Sequence, residues 1–391
     1  MSIRPIFNSY PGLLSIYLHF PFCKNLCHYC DFYKEKFDFD AQNKFFHALH
    51  TETEMVLSAF ETEPLNIASI YIGGGTPSMC DPALLEEWIH DINGYAAFLP
   101  GFEFTIEANP ETLTEEFARR VFQAGINRLI IGSQSFSVSS LKLVGRKQRN
   151  KDIYQAFYNA RLAGFENIGA DLIFGLPGQT IKKLRTDIDR LTSLEPKHIS
   201  FYQLTVEPGT LLEKNIESGA IVVPDDDACA EMYLLGSHLL HDKKYLRYEI
   251  SNYALEGFES KHNSGYWNST PYIGLGPAAH GFVNNQRYSN IADVDEYIRR
   301  IESGVLPIDF VEELSARDKL NEAILLSLRT TRGINKENLI REFGEPALSI
   351  LESSSIAVYL NEGFLEVTDG YLKLTDRGFL VADKIISDLL S

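Results

Sequence analysis

Six short apolar runs, rich in β-branched residues, recur along the first half of the chain, at residues 15–22, 67–72, 103–108, 128–134, 167–174 and 198–206. Amphipathic stretches separate them. Strand and helix alternating at a spacing of about 30 residues is the mark of the βαβ unit. That mark leaves few folds open. Parallel strands need a crossover, the crossover is a helix, and a run of such units rolls into a barrel or an open, covered sheet. Three of the helices are legible, at 83–92, 114–124 and 180–194. The last two open on the capping residues Thr114 and Thr180, and they close near Gly125 and before Pro196. The expected fold is α/β, a partial (β/α)6 TIM-like barrel over residues 1–245.

The chain's 391 residues exceed what one core usually serves, so a smaller second unit is expected. A helix at 227–240 is followed by a stretch rich in Tyr, Asn and Gly from Tyr245 to Tyr288. Residues 246–308 are expected to lie across the barrel mouth. Residues 309–391 read as a winged-helix-like module, with helices at 316–328 and 336–343 and a hairpin at 364–374 turning on Asp369-Gly370. Acidic residues outnumber basic ones in it, which argues against DNA reading and for a structural or protein-docking role.

The formal net charge of -17 works against phosphate backbones and anionic lipid, so neither nucleic acid nor a membrane surface is an expected partner. In the densest basic cluster, Arg146-Lys147-Gln148-Arg149, Lys147 and Arg149 read as a solvated loop. The five cysteines follow no disulfide spacing, the start of the chain shows no charged-then-apolar leader, and no run of about 18 apolar residues could span a bilayer. A cytoplasmic protein with reduced thiols and no transmembrane segment is expected. Cys80 and Cys229 stand alone and read as small buried hydrophobes.

Cys23, Cys27 and Cys30 form a CxxxCxxC frame just past the first strand. Three thiolates leave one position open on a [4Fe-4S] cluster, which usually takes four. They equally suit a zinc site completed by His19 or His28. Gly73-Gly74-Gly75-Thr76-Pro77 at the end of the next strand favours the first option, because glycines there let backbone N–H and C=O groups approach a polar cofactor. Glu107 and Gln134 close the third and fourth strands, and Asp171 lies in the fifth. Reacting groups of barrel enzymes gather at these strand ends.

On these motifs the chain resembles the radical S-adenosylmethionine superfamily. In that family S-adenosylmethionine chelates the open iron, and reduction of the cluster cleaves it to a 5'-deoxyadenosyl radical. The run from Tyr17 to Cys23, the glycine motif, Gly132-Ser133-Gln134-Ser135-Phe136, Gly145-Arg146 and the run from Asp171 to Thr180 narrow the resemblance to the coproporphyrinogen oxidase-like branch, over nearly the whole chain. It implies that Tyr17, Gly74, Gly75, Thr76, Glu107, Gln134, Arg146 and Asp171 line the cofactor pocket. Carboxylates there suit ribose hydroxyls or an ammonium, and Arg146 suits a carboxylate.

Two departures from the oxidases point to the heme-chaperone side of the branch. Phe32 stands where the oxidases carry a further cysteine, and the segment before the frame is short. His262-Asn263-Ser264-Gly265-Tyr266-Trp267 resembles the heme-binding HNxxYW signature. An imidazole can ligate heme iron, Asn263 could orient it, and Tyr266 and Trp267 offer flat faces. His280, in a GLGxxA-like run, is a lesser ligand candidate. Gln148 departs from the histidine common in relatives. The resemblance thus implies heme, a heme-acceptor protein and an electron donor for the cluster as partners. The rival activity is oxidative decarboxylation of coproporphyrinogen III, which would need cations such as Arg146, Arg247 and Arg287 to converge on propionates. A zinc-stabilised scaffold without turnover is the third option.

Overall fold

In the computed structural model, residues 6–7, 12–60 and 64–390 are described, so residues 1–5, 8–11 and 61–63 of the expected 1–245 domain, and residue 391, lie outside. The six expected strands form as β1 (Leu13–Phe20), β2 (Leu65–Gly74), β3 (Ala96–Ala108), β4 (Arg128–Gln134), β5 (Asn167–Phe174) and β6 (His198–Gln203). Each pairs parallel with the next. Helices α1 (Phe39–Leu57), α2 (Pro82–Ile92), α3 (Glu115–Gln123), α4 (Asn150–Ala163) and α5 (Ile181–Thr192) make the crossovers. Asp38, Asp81, Thr114 and Thr180 cap four of them by accepting from first-turn N–H groups.

Side chains alternate across each strand. On β1, Leu14, Ile16, Leu18 and Phe20 belong to the buried apolar core, each at most 1% exposed. Ser15 and Tyr17 take the other, concave side, where Ser69 donates to Ser15 at 2.8 Å and Tyr17 stacks on Tyr71. The barrel interior is therefore unusually polar.

The barrel does not close. β7 (Leu246–Arg247) and β8 (Asn252–Ala254) extend the sheet antiparallel beyond β6, after α6 (Asp226–Asp242). Beyond β1 come β9 (Tyr272–Leu275), which is parallel to it, then β10 (His280–Val283), β11 (Gln286–Asn290) and β12 (Ile308–Glu313). The result is one twelve-stranded sheet. Residues 246–308 thus do not lie across the mouth: they supply strands at both sheet margins and the helix α7 (Lys261–Trp267). That helix caps the opposite end. Its contacts, Ser69 and Glu103, lie four residues back from Gly73 and Glu107, about 13 Å along the strands. The 276–280 turn reaches the mouth side, where a Cβ on Gly276 would sit 2.5 Å from the His19 carbonyl oxygen, and Val294 N–H donates to Tyr33 Oη at 2.9 Å.

The C-terminal module holds α8 (Ala316–Leu328), α9 (Lys336–Phe343) and a small sheet of β13 (Ile334–Asn335), β14 (Leu365–Thr368) and β15 (Tyr371–Leu374). Asp369 and Gly370 both take positive φ, as a two-residue type I′ hairpin turn requires. Among the described residues no helix is long and apolar enough to cross a membrane.

Candidate functional site at the strand C-terminal ends

A cavity of about 460 Å³ opens where the parallel strands end. Cys23, Cys27, Cys30, Gly74, Gly75, Thr76, Glu107, Gln134, Arg146 and Asp171 all line it. Residues from five separate strand-end loops meet there because each βα unit delivers its last residues to the same rim. Tyr17 is not in the wall. It lies behind Tyr71, which takes that place and donates to Glu107 Oε1 at 2.6 Å.

The glycine run turns out to serve chain-to-chain contact. Gly75 N–H donates to the Phe20 carbonyl at 2.6 Å and Thr76 N–H to the Phe22 carbonyl at 2.8 Å. A Cβ on Gly75 would lie 2.5 Å from the Phe22 oxygen, and one on Gly74, whose φ is +100°, would lie 2.7 Å from the His19 ring. This close approach brings the β2 end against the cysteine segment, so that Thr76 Oγ1 donates to Cys23 Sγ at 3.3 Å. Burial pushes the Cys23 thiol up to about 11 and raises that of Cys30 as well. Any metal group held there must displace their protons.

Neither His19 nor His28 lines the cavity. His19 Nε2 meets the Tyr33 carbonyl at 2.8 Å and its Nδ1 meets Tyr17 Oη at 3.2 Å, while His28 packs against Gly145. Among the described residues no group of three or more His, Cys, Asp or Glu side chains closes on one point. Three thiols in one cavity wall, with neither histidine beside them, fall short of the four ligands that a structural zinc ion takes.

Glu107 and Asp171 form an electronegative floor. Burial and then the charge of Asp171 push Glu107 up to about 7, against hydrogen bonds from Tyr71 and Gly74. Burial likewise lifts Asp171 to about 6, against the Ser200 hydroxyl and the charge of Arg146. A cationic ligand would relieve both. Arg146 supplies the opposite sign: Nη2 donates to Asn109 Oδ1 at 2.8 Å and to the Gly132 carbonyl at 3.2 Å, and Nη1 lies 3.4 Å from Tyr29 Oη. Gln148, 2% exposed, holds it by accepting from Arg146 Nε at 3.0 Å and donating to the Ser133 carbonyl. The residue that departs from histidine at this position thus braces the arginine. Gln134 has φ +60° at a shift in the β4–β5 register, a conformation uncommon for a non-glycine residue, and it accepts from Tyr202 at 2.9 Å. Of the three arginines expected at the mouth, only Arg146 is there. Arg247 pairs with Asp376 and Arg287 with Glu322.

His262 lies in the barrel floor, 1% exposed. Its Nδ1 is 2.9 Å from Ser69 Oγ, whose own proton goes to Ser15, and its Nε2 is 2.8 Å from Tyr266 Oη. Nδ1 therefore donates and Nε2 accepts from the tyrosine, which occupies the lone pair that iron would need. Burial lowers its basicity to about 3. Its orienting partners are Ser69 and Tyr266 rather than Asn263, whose N–H donates to Ser260. Glu103 anchors this floor by accepting from Ser260 Oγ, Lys261 N–H and His262 N–H. Arg128 lies 3.9 Å from Glu103, 1% exposed, with its Nε and Nη1 unpartnered. His280 begins β10, which lies between β9 and β11, and is exposed and outside the cavity.

Comparison with known proteins agrees with this layout. The Radical SAM superfamily model matches residues 17–191, and that of the HemN C-terminal domain matches residues 314–381. The chain is 35% identical to a protein named heme chaperone HemW from Bacillus subtilis (strain 168), over 96% of this chain and 99% of that one. It is 32% identical to the heme chaperone HemW of Lactococcus lactis, over 96% and 97%. Among solved structures, coproporphyrinogen III oxidase (HemN) from Escherichia coli superposes with a TM-score of 0.84 at 20% identity, covering 97% of this chain and 90% of that one.

Proposed function

The chain belongs to the radical SAM superfamily, in the family of the HemW heme chaperones, and from that premise we propose that it carries heme to an acceptor protein under the control of a cluster and S-adenosylmethionine held at the strand ends. Cys23, Cys27 and Cys30 would hold a [4Fe-4S] cluster, because theirs are the thiols of the cavity wall. That group, when bound, supplies one-electron chemistry and a Lewis-acidic iron for the nucleotide's amino and carboxylate groups. Around it the protein's own residues bind and orient. Glu107 and Asp171 offset the positive charge of an ammonium or sulfonium, and Arg146, braced by Gln148, meets a carboxylate.

The observation that carries this reading is the meeting of three thiols, two raised carboxylates and one braced guanidinium in a single cavity. An electron donor for the cluster is a further partner on this reading, and a reducing cytoplasm suits thiols left free for iron. Oxidative decarboxylation of coproporphyrinogen finds less support, since Arg247 and Arg287 are tied elsewhere. In this reading heme is carried on the α7 side, and His262 would become a ligand only after Tyr266 releases its Nε2.

Anaerobic reconstitution with iron and sulfide, followed by S-adenosylmethionine calorimetry and heme titration, tests the proposal. Four irons and four sulfides per chain are expected, with loss of both cluster and nucleotide binding in Cys23→Ala. A full cluster with no saturable heme binding would end the chaperone reading. Retention of iron, sulfide and nucleotide affinity in Cys23→Ala would end the cluster assignment.

A further inference from the structure

A second cavity, of about 580 Å³, lies between the barrel margin and the C-terminal module. Its volume is within the range of cofactor sites. It shares no residue with the cysteine cavity. Trp267, at the end of α7, forms one part of the wall, and Phe343 of α9 and Tyr371 of β15 form others. The indole N–H of Trp267 is buried without a partner.

The chemistry of this wall is selective. Flat aromatic surfaces suit a planar ligand. Lys319 and Arg332 also line the cavity, and neither pairs with a carboxylate among the described residues. Of the acids there, Glu322 is held by Arg287 at 2.7 Å, which leaves Glu342. Arg332 Nη2 donates to Tyr371 Oη at 3.1 Å, and its guanidinium carbon stands 5.5 Å from the ring centroid. Hydrogen bonds from Asn335 and Arg332 bring the pKa of the Tyr371 phenol below its ordinary value, which favours the phenolate. A phenolate is one of the axial donors that heme iron accepts.

Resting on the chaperone reading above, we propose that this cleft seats ferric heme, with Tyr371 as the axial ligand, Trp267 and Phe343 against the macrocycle, and Lys319 and Arg332 toward the propionate carboxylates. The short helix α7 then serves two places, holding His262 inside the barrel floor and presenting Trp267 to the cleft.

Ferric heme titration of the full reconstituted chain decides the matter. The wild type is expected to bind saturably, with a phenolate-to-iron charge-transfer band and phenolate Raman modes. Tyr371→Phe removes only the oxygen and should abolish both signatures and weaken binding by more than about tenfold, with iron and sulfide content unchanged. Lys319→Glu should keep the signatures and weaken binding by up to about tenfold. Saturable binding without a phenolate signature in the wild type, or unaltered binding in Tyr371→Phe, overturns the cleft and leaves the chaperone reading standing. No saturable heme on a fully clustered wild type overturns both.

Discussion

Glu103→Gln isolates the bond that locks α7 beneath the barrel. The carboxylate accepts at 3.1 Å from Ser260 Oγ and from His262 N–H on Oε1, and at 2.9 Å from Lys261 N–H on Oε2. Glutamine keeps one oxygen and turns an amide N–H toward the Lys261 N–H, so one charge-assisted bond becomes a clash of donors, about 1.5–3 kcal/mol. It also removes the carboxylate charge that lies 3.9 Å from Arg128. Breaking a buried pair on one side costs about 3–5 kcal/mol. The two effects overlap, so about 3–5 kcal/mol is expected for the whole change. Local opening of α7 admits water to Arg128 and relieves the uncompensated charge, so the loss should appear first in that helix. Amide hydrogen exchange across residues 261–267 should quicken by about two to four orders of magnitude, well beyond the change in β1 or β2. Adding Arg128→Met should recover most of it, because an uncharged pair of similar volume leaves no stranded charge. A rise of less than about fivefold, or no recovery in the double variant, would refute this account of the barrel floor.

Three further outcomes follow from the packing. Gly74→Ala forces a side chain into positive φ and places its Cβ 2.7 Å from the His19 ring, so a loss of about 2–4 kcal/mol in urea unfolding is expected, together with weaker S-adenosylmethionine binding by calorimetry. Glu52 is buried against Gly276 N–H, Tyr297 and Asn290, and burial lifts it from 4.5 to about 7, so its proton is favoured by the folded state. Its contribution is present in full below about pH 4.5 and is lost as the pH rises through about 7, about 3 kcal/mol in all, and Glu52→Gln should flatten the stability-against-pH curve over that interval. Arg247→Ala removes the ion pair to Asp376, the stack 4.0 Å over Phe379 and a 3.0 Å bond to Tyr233, which join α6 to the C-terminal module. A cost of about 1–3 kcal/mol and faster release of a C-terminal fragment by limited proteolysis are expected, and unchanged cleavage would count against this anchor.

What could be read from the sequence is what local periodicity and strand ends dictate. Thr114 and Thr180 cap the helices they were expected to open, and Glu107 and Asp171 face each other because parallel strands carry inward residues to one rim. Tyr71 escaped notice because a tyrosine inside an apolar strand reads as an ordinary strand former, although a second inward tyrosine, Tyr17, stood beside it in register. The floor was illegible for a stronger reason. Glu103 and His262 are 159 residues apart, and nothing near either one signals the other. The HNxxYW-like run reads as a heme-binding signature because an imidazole and two flat aromatic faces stand together in it. Closing the open barrel from below instead consumes His262, whose two nitrogens satisfy Ser69 and Tyr266, and leaves Trp267 as the member that reaches a second cavity. A motif therefore identifies residues that travel together, while the burial of polar groups decides which of them remains available. In this chain that selection favours the end of α7 that faces the C-terminal module.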